Sequence, residues 1–428
     1  MNERRLEATR LERMRAAVSD LYDRNRQRGH APWCDRDYDF VCPSKTTYPF
    51  QWFWDSCFHA IVLSHIDPAR AESELRSLLA NQQPDGLVPH VIFWQREVFE
   101  ERLADYSIAY RTPYFSDCMQ PPAMAEAIAA VAARGRGEPF LREVLPAARR
   151  YFDWLHDVRD PDDDGLVAVL QADETGLDES PKFDDYLGVF GDNRPDYDAA
   201  WHRVADPYAE VGRDPARMFA LDRFVDEDVM VNTIYAENQR VLGNLLAQVG
   251  DVAGAEEFAA RALHTRQALV AKCWDPDAGL FWDLAGLRER PLRTSTFTSL
   301  FPLLLPELPE PVAGRLIDQL EDPRAYGTPW PIPTVSRREA AFRPGAIGEH
   351  LLWRGAAWIN VNWYLCRGLR RHGRADLARA IEDKTATMIE HWGFREYFDT
   401  LSGEGQGALD FSWTALILDL LEARAAEA

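Results

Sequence analysis

Acidic side chains that could take part in proton-transfer chemistry cluster in two separate stretches of the chain. The first stretch places four carboxylates within seven positions: Asp173, Glu174, Asp178 and Glu179. The second stretch contains Glu396 and Glu404, ahead of the aromatic segment 411–413. Two carboxylates facing each other across an aromatic cleft are the minimum for hydrolysing a glycosidic bond, because one donates a proton while the other activates water. The residues alone leave open which two carboxylates form such a pair.

Aromatic side chains flank a further carboxylate near the N-terminus. Tyr48, Trp52 and Trp54 come directly before Asp55. Flat indole faces suit the C–H surfaces of sugar rings, and a carboxylate accepts hydrogen bonds from sugar hydroxyls. The segment therefore predicts a sugar-binding site. Asp55 ahead of a predicted helix is also typical of an N-cap, and this alternative stays open.

Two more polar side chains are candidates for substrate binding. His90 follows Pro89, and Gln120 precedes two prolines near the start of a predicted helix. An imidazole or a carboxamide at such a place can bridge hydroxyl groups. The alternative for His90 is a purely structural role.

The segment 160–165, Asp-Pro-Asp-Asp-Asp-Gly, matches the first half of a calcium-binding loop. Position twelve of that loop would be Gln171, where calcium requires a bidentate glutamate. The sequence therefore favours an acidic turn over a metal site. We expect no metal, nucleotide or redox cofactor.

Helical periodicity recurs throughout, and no strand pattern is strong. A first helix is predicted at about 5–26 and a last helix at about 411–425. Five helical hairpins are predicted between them, at 56–66/68–82, 118–134/138–158, 227–248/252–273, 295–304/310–321 and 355–371/374–391. If the first helix pairs with the last, the chain closes a ring of six hairpins, which is an all-α (α/α)6 barrel.

Short turns force the helices of a hairpin to be antiparallel, so the longer connections must share the opposite face. These connections are 27–55, 83–117, 159–226, 274–294, 322–354 and 392–410. The span 159–226 is too long for a plain loop. We therefore expect one catalytic barrel over residues 1–428, with 159–226 inserted as a lid subdomain above the site. Two stacked helical domains or an open solenoid are the alternatives.

Composition narrows the class of partner. The 428 residues include 48 Lys and Arg against 69 Asp and Glu, a formal net charge of −21, which repels nucleic acids and anionic membranes. No run of 18 apolar residues and no apolar signal segment is present, so we expect a cytoplasmic protein without a membrane span. The six cysteines show no paired spacing, which indicates free thiols.

Several motifs, in one order along the chain, resemble glycoside hydrolase family 63. They are Trp52-Phe-Trp-Asp55, Glu174-Thr-Gly-Leu-Asp-Glu-Ser-Pro181, Pro329-Trp-Pro331, Trp353-Arg-Gly-Ala-Ala-Trp358-x-Asn360, and Glu396-Tyr397 followed by Phe-Ser-Trp-Thr414. The chain is similar in size to small bacterial members of this family, the mannosylglycerate and glucosylglycerate hydrolases. Thr175 stands where the family motif commonly has serine, and we expect little effect from this difference.

The resemblance implies an inverting α-glycosidase. It places the general acid at Asp178 and the general base at Glu396, with Glu174 and Glu404 as competing carboxylates. It places the sugar subsite around Tyr48, Trp52, Trp54 and Asp55, with Gln120, Trp353 and Trp358 nearby. Inversion requires roughly 6.5–9.5 Å between the two carboxyl groups, because a water molecule must fit between base and sugar.

The resemblance also implies a small substrate, an α-glucosyl- or α-mannosyl-glycerate. Because glycerate is an anion, its binding needs a local cation. The candidates in the stretch 201–226 are Arg203, Arg213, Arg217 and Arg223. A homo-oligomer is compatible with the sequence.

Two other functions stay open at this point. One is an α-glucosidase acting on α-1,2- or α-1,3-linked gluco-oligosaccharides. The other is a sugar epimerase or isomerase on the same barrel, which would need histidines placed for proton abstraction. His90 and His350 show no such pairing in the sequence.

Overall fold

The fold is helix-rich, as the sequence predicts. A computed structural model describes residues 3–95, 114–189, 194–345 and 351–427. Its helices are α1 (Glu3–Arg24), α2 (Phe53–Ser64), α3 (Pro68–Leu79), α4 (Met124–Arg134), α5 (Glu138–Arg159), α6 (Asp184–Leu187), α7 (Arg194–Glu210), α8 (Pro215–Leu221), α9 (Val229–Gln248), α10 (Val252–Ala268), α11 (Glu310–Glu321), α12 (Ile359–Arg371), α13 (Ala375–Trp392) and α14 (Ile417–Glu427). Shorter 3-10 helices span Ala172–Thr175, Pro181–Phe183, Phe297–Leu304 and Ser412–Leu416, and a π-helical turn Leu269–Cys273 extends α10.

Short antiparallel strands, which the sequence does not predict, occupy parts of the long connections. They are β1 (Arg26–Ala31), β2 (Arg36–Val41), β3 (Gln51–Trp52), β4 (Val91–Ile92), β5 (Asp226–Glu227), β6 (Trp274–Asp275), β7 (Leu280–Phe281), β8 (Asp283–Ala285), β9 (Arg290–Leu292), β10 (Arg395–Phe398) and β11 (Gly405–Leu409). They pair as β1–β2, β3–β4, β6–β7, β10–β11 and the three-stranded β5–β8–β9. Most are too short to show an alternating pattern in the sequence.

Capping residues explain where several helices begin. Asp67 accepts hydrogen bonds from the amides of Ala69 and Arg70, and Pro68 takes the first helical position of α3. Asp228 caps α9 in the same way. Asp55 does not cap α2, because that helix begins at Phe53 and Asp55 lies in its first turn. The N-cap interpretation of Asp55 is therefore wrong.

Contacts between helices follow chain order around a closed circuit. The inner segments are α2, α4, α9, Phe297–Leu304, α12 and Ser412–Leu416; each contacts the next, and the last contacts α2. The outer helices α3, α5, α10, α11 and α13 each pack on the inner segment of their own hairpin, and α1 contacts α14. Every residue of α2 is buried, as expected for a helix surrounded by protein on all sides.

None of the helices in the described ranges has both the length and the apolar character needed to cross a lipid bilayer.

The long connection 159–226 is itself largely helical, and it includes α6, α7 and α8. Two polar contacts join it to the segment before α12. The Arg354 guanidinium donates to both carboxylate oxygens of Asp184, at 2.6 and 2.7 Å, and the Leu352 amide donates to Glu179.

A buried lysine joins the same connection to the start of α9. The Lys182 ammonium forms an ion pair with Asp228 and lies 3.1 Å from Asp283, and all three side chains are buried. Burial opposes the charge of Lys182, but Asp228, Asp283 and Asp226 raise its pKa, so the ammonium persists. This cation offsets part of the cost of burying three carboxyl groups.

Replacing Lys182 by methionine leaves those carboxyls without their cation. We expect Lys182→Met to lower the free energy of unfolding by about 3–5 kcal/mol, the usual cost of breaking a buried ion pair. Denaturant titration measures this loss. Lys45 is exposed, so Lys45→Met is the matched control and should stay within about 0.5 kcal/mol of the unmutated protein. Equal stability of the two variants would contradict this account of Lys182.

Candidate active site

One cavity of about 430 Å³ brings together all ten residues that the sequence singles out for the site. Its lining includes Tyr48, Trp52, Trp54, Asp55, His90, Gln120, Asp178, Trp353, Trp358 and Glu396. Five of the six long connections contribute to it, and 274–294 contributes none of the lining residues. These five connections therefore meet at one cavity, in agreement with the shared face that the helix order predicts.

Asp178 reaches the cavity from a constrained loop. Gly176 adopts the left-handed backbone, with φ of +69°, and a Cβ there would lie 2.5 Å from the Trp54 ring. The Thr175 hydroxyl accepts a hydrogen bond from the Leu177 amide and fixes the same turn. Asp178 is open to the cavity while protein surrounds it otherwise. Desolvation raises the pKa of Asp178 well above its usual value, and the charges of Asp173 and Glu179 add to this effect. These effects favour the protonated form of Asp178.

Glu396 lies on β10, next to an irregularity in the pairing of β10 with β11. It accepts hydrogen bonds from the Tyr48 hydroxyl at 3.2 Å and from the Ala408 amide at 2.8 Å. Burial raises the pKa of Glu396 to about 7, although both hydrogen bonds favour its ionised form. Gly407, with φ of +69°, leaves no room for a Cβ, which would lie 2.6 Å from Glu396 Oε2.

The competing carboxylates lie elsewhere. Glu174 is buried, binds Arg159 through both oxygens at 2.6 and 2.7 Å, and accepts from the amides of Met119 and Leu170. Glu404 is exposed on the turn between β10 and β11. Neither residue lines the cavity.

Six tryptophans form much of the cavity wall: Trp52, Trp54, Trp201, Trp353, Trp358 and Trp413. Trp353 stacks on Trp358 with ring centroids 3.8 Å apart, and its own backbone is left-handed, with φ of +60°. Within the described ranges, the indole N–H groups of Trp358 and Trp413 and the Tyr197 hydroxyl are buried without a hydrogen-bond partner.

The remaining predicted residues have defined partners. The side-chain oxygen Oε1 of Gln120 accepts a hydrogen bond from the backbone amide of Trp54 at 3.0 Å. His90 Nδ1 lies 2.9 Å from the Ser116 hydroxyl, and its ring meets Trp52 edge-on at 5.0 Å. Burial lowers the pKa of His90 to about 3, so this imidazole stays neutral and is too weak a base for the epimerase alternative. Burial raises the pKa of Asp55 well above its usual value. His350 lies outside the described residues.

One face of α7 also lines the cavity, through Arg194, Tyr197, Asp198 and Trp201. Sequence reasoning missed this face, although the spacing i, i+3, i+4, i+7 is the pattern of a single helical face. Arg194 forms an ion pair with Glu179.

The four arginines predicted as substrate cations are placed elsewhere. None of Arg203, Arg213, Arg217 and Arg223 lines the cavity, so that expectation is wrong. Arg213 is buried against Asp117, Arg203 donates to the Leu187 carbonyl, and Arg217 donates to the Val211 carbonyl. The prediction rested on their place in the chain, which does not determine where a long side chain reaches.

Among the residues that the structure describes, three clusters of carboxylates have the spacing to hold a cation: Asp160/Asp162/Asp164, Asp164/Glu227/Glu289 and Asp226/Asp228/Asp283. In two of these clusters a lysine ammonium group already forms ion pairs with the carboxylates: Lys272 in the second and Lys182 in the third. In the first, Asp160 accepts hydrogen bonds from the amides of Asp164 and Gly165, which is the geometry of an acidic turn.

Comparisons with known proteins identify relatives over nearly the whole chain. A family model described as the mannosylglycerate hydrolase MGH1-like glycoside hydrolase domain matches residues 48–414. A mannosylglycerate hydrolase of Thermus thermophilus is 30% identical over 409 residues, which cover 88% of this chain and 95% of the relative. A glucosylglycerate hydrolase of Mycolicibacterium hassiacum is 29% identical, covering 87% and 92%. The crystal structure of the GH63 mannosylglycerate hydrolase from Thermus thermophilus in complex with Tris and D-glycerate matches with a TM-score of 0.83 at 27% identity, over 96% of this chain and all of the other.

The contact between Gly176 and Trp54 can be tested without a substrate. We expect Gly176→Ala to lower the free energy of unfolding by about 1–3 kcal/mol more than Gly188→Ala and to change the tryptophan signal in near-UV circular dichroism. Gly188 shares a φ of +69°, but a Cβ added there would have nothing within 4 Å, so it controls for backbone strain alone. Equal losses in the two variants would show that Trp54 does not constrain the loop.

Proposed function

The chain belongs to the mannosylglycerate hydrolase MGH1-like glycoside hydrolases, and we propose that it cleaves a small α-glycoside with inversion of configuration, using Asp178 as general acid and Glu396 as general base. One observation carries the proposal. Asp178 and Glu396 line the same tryptophan-walled cavity, whereas the competing carboxylates Glu174 and Glu404 lie outside it.

The protonation states suit these two roles. Asp178, whose protonated form is favoured by desolvation and by neighbouring carboxylates, donates its proton to the glycosidic oxygen as the bond breaks. Glu396, with a pKa of about 7, is poised to accept a proton from the attacking water near neutral pH. The water attacks the sugar face opposite the leaving group, so the free sugar is released with an inverted anomeric centre.

The sugar ring is held by the aromatic wall. Trp54, Trp353 and Trp358 offer apolar faces to its C–H groups. Burial raises the pKa of Asp55, which favours a protonated carboxyl that can donate a hydrogen bond as well as accept one.

The scaffold for this site is, in our proposal, a single (α/α)6 barrel with 159–226 as a lid subdomain. The closed circuit of inner segments and the contact between α1 and α14 support the barrel. The α7 residues in the cavity lining, together with the contacts of Asp184 and Glu179 to the segment before α12, support the lid.

We propose an α-mannosyl- or α-glucosyl-glycerate as the substrate. The relatives named above are hydrolases of these two compounds, and one solved relative holds D-glycerate. Arg194 lies on the lid wall of the cavity and is the candidate partner for the glycerate carboxylate.

A neutral α-1,2- or α-1,3-linked disaccharide is the second candidate. Glu179 already forms an ion pair with Arg194, and Asp173 and Asp198 line the same wall, so that wall carries more negative than positive charge among the described residues. A neutral leaving group would avoid this repulsion.

A hydrolysis panel of glucosylglycerate, mannosylglycerate, kojibiose and nigerose separates the two candidates. We expect turnover of at least one of the two glycerates and a first product whose proton NMR spectrum shows the inverted anomer. Asp178→Asn and Glu396→Gln should each lower kcat by about 10²- to 10⁴-fold. Glu404→Gln, which changes an exposed carboxylate on the same hairpin, is the matched control and should keep full activity. A retained anomer or an active Asp178→Asn would refute the mechanism.

The pH dependence follows from Glu396. Its protonated form cannot accept a proton, so kcat/KM should rise with pH around a midpoint near 7. Tyr48→Phe removes a donor that favours the ionised form, and it should move this rising limb to higher pH. A midpoint near 4.5, or one that Tyr48→Phe does not move, would contradict the assignment of the limb to Glu396.

A further inference from the structure

The Glu179 side chain forms a contact at each of its two oxygens, although the proposed reaction gives this residue no role. Oε1 forms an ion pair with the Arg194 guanidinium, and Oε2 accepts a hydrogen bond from the backbone amide of Leu352. Only 8% of the Glu179 side chain is exposed. A carboxylate bound at both oxygens and shielded from solvent has little freedom to rotate. Glu179 is therefore fixed in the cavity wall.

Glu179 and Asp178 share one tight turn. The Ser180 amide donates to the Leu177 carbonyl at 2.9 Å, which closes a four-residue turn with Asp178 and Glu179 at its two central positions. Leu177 is fully buried. Because a planar peptide unit joins the two central residues, fixing Glu179 also limits the backbone of Asp178.

The backbone of this turn sets the direction of the acid. The Asp178 side chain is exposed towards the cavity, and its first side-chain torsion is confined to staggered wells. A general acid must reach within about 2.6–3.2 Å of the oxygen that it protonates. A misplacement of about 1 Å can cost about 10²-fold in rate. A small rotation of the turn is therefore enough to impair Asp178.

The other end of the Glu179 contact lies beside the stacked tryptophans of the cavity. Leu352 directly precedes Trp353, which has a left-handed backbone and stacks on Trp358 with ring centroids 3.8 Å apart. The hydrogen bond from the Leu352 amide to Glu179 connects residues 173 positions apart in the chain. This bond therefore joins the turn of Asp178 to the segment against which the proposed sugar ring packs.

We propose that Glu179 is a positioning residue: its bond to the Leu352 amide holds the turn of Asp178 at a fixed distance from the stacked tryptophans, so that the acid faces the glycosidic oxygen. Arg194 holds the second oxygen of Glu179 from α7. The inference rests on the proposed function, in which Asp178 is the general acid. The charge of Glu179 also contributes to the raised pKa of Asp178, so the test has to separate geometry from charge.

The test compares two substrates that differ in their need for a general acid. The first is the compound of the hydrolysis panel that is turned over fastest, whose leaving oxygen must gain a proton as its bond to the anomeric carbon breaks. The second is the α-glycosyl fluoride of the same sugar, which releases fluoride, a weak base that leaves without a proton. A misplaced Asp178 therefore lowers kcat for the glycoside much more than for the fluoride. A general loss of folded enzyme lowers both in the same proportion.

Three variants of Glu179 separate its geometry from its charge. Glu179→Ala removes both contacts and should lower kcat for the glycoside by about 10²-fold, with a much smaller effect on the fluoride. Glu179→Asp keeps the charge but is one methylene shorter, so it should also lose activity selectively on the glycoside. Glu179→Gln gives up the charge but keeps an oxygen for the Leu352 amide, so it should retain more glycoside activity than Glu179→Asp.

Asp184→Ala is the matched control. It removes the other contact between the connection 159–226 and the segment before α12, at Arg354, and neither Asp184 nor Arg354 lines the cavity. The ratio of the glycoside and fluoride rates should stay unchanged in this variant, even if its stability falls.

The proposal is overturned if Glu179→Ala lowers both rates in equal proportion, or if Asp184→Ala changes their ratio as much. A selective loss in Glu179→Gln without one in Glu179→Asp would also overturn it, because charge alone would then explain the effect. If Glu179→Ala fails to fold, the comparison of Glu179→Asp with Glu179→Gln decides the question.

Asp178→Asn, measured on the same two substrates, distinguishes the failure of this inference from the failure of the proposed function. If Asp178→Asn keeps its glycoside activity, the proposed function itself is refuted. If Asp178→Asn loses activity selectively on the glycoside while Glu179→Ala does not, the proposed function stands and only the role of Glu179 is refuted.

Discussion

The cost of holding carboxyl groups out of water governs this structure. Most buried carboxylates offset that cost by forming an ion pair with a cation or by accepting several hydrogen bonds. Glu174, for example, takes two bonds from Arg159 and two from backbone amides. Asp228 and Asp283 share the ammonium of Lys182. Such groups hold segments of the long connections together and are not available for acid–base chemistry.

Three carboxyl groups of the cavity have no such cation. Desolvation raises the pKa values of Asp55, Asp178 and Glu396, and none of these three has an ion-pair partner among the described contacts. The contrast is clearest within one loop. Glu174 pairs with Arg159 and accepts two backbone hydrogen bonds, whereas Asp178, four residues later, has no ion-pair partner among the described contacts. Groups whose protonation is shifted by their surroundings, without a compensating ion, are the ones suited to exchange protons with a substrate.

The long connection 159–226 carries both kinds of carboxyl group. Its contacts with the body use matched charges, such as Asp184 with Arg354, and they hold α7 above the cavity. The face of α7 then adds Arg194 and Trp201 to the site, and each engages an acidic residue of the loop that carries Asp178. Many of the 69 acidic residues are thus paired with a cation, while the cavity wall keeps an excess of carboxyls.

Local rules were enough to predict much of the fold. Apolar periodicity, capping aspartates such as Asp67, and proline at helix starts act over a few residues, so the helices and the shared face of the long connections could be predicted from the sequence. The motifs around Asp178 and Glu396 indicated the family and drew attention to these two carboxyl groups. The tertiary structure decided which carboxylates have no partner cation, and that among the described residues Arg194 rather than Arg213 lines the cavity. Ion pairing and desolvation depend on contacts between residues far apart in the chain, as between Arg213 and Asp117, and no local pattern encodes them.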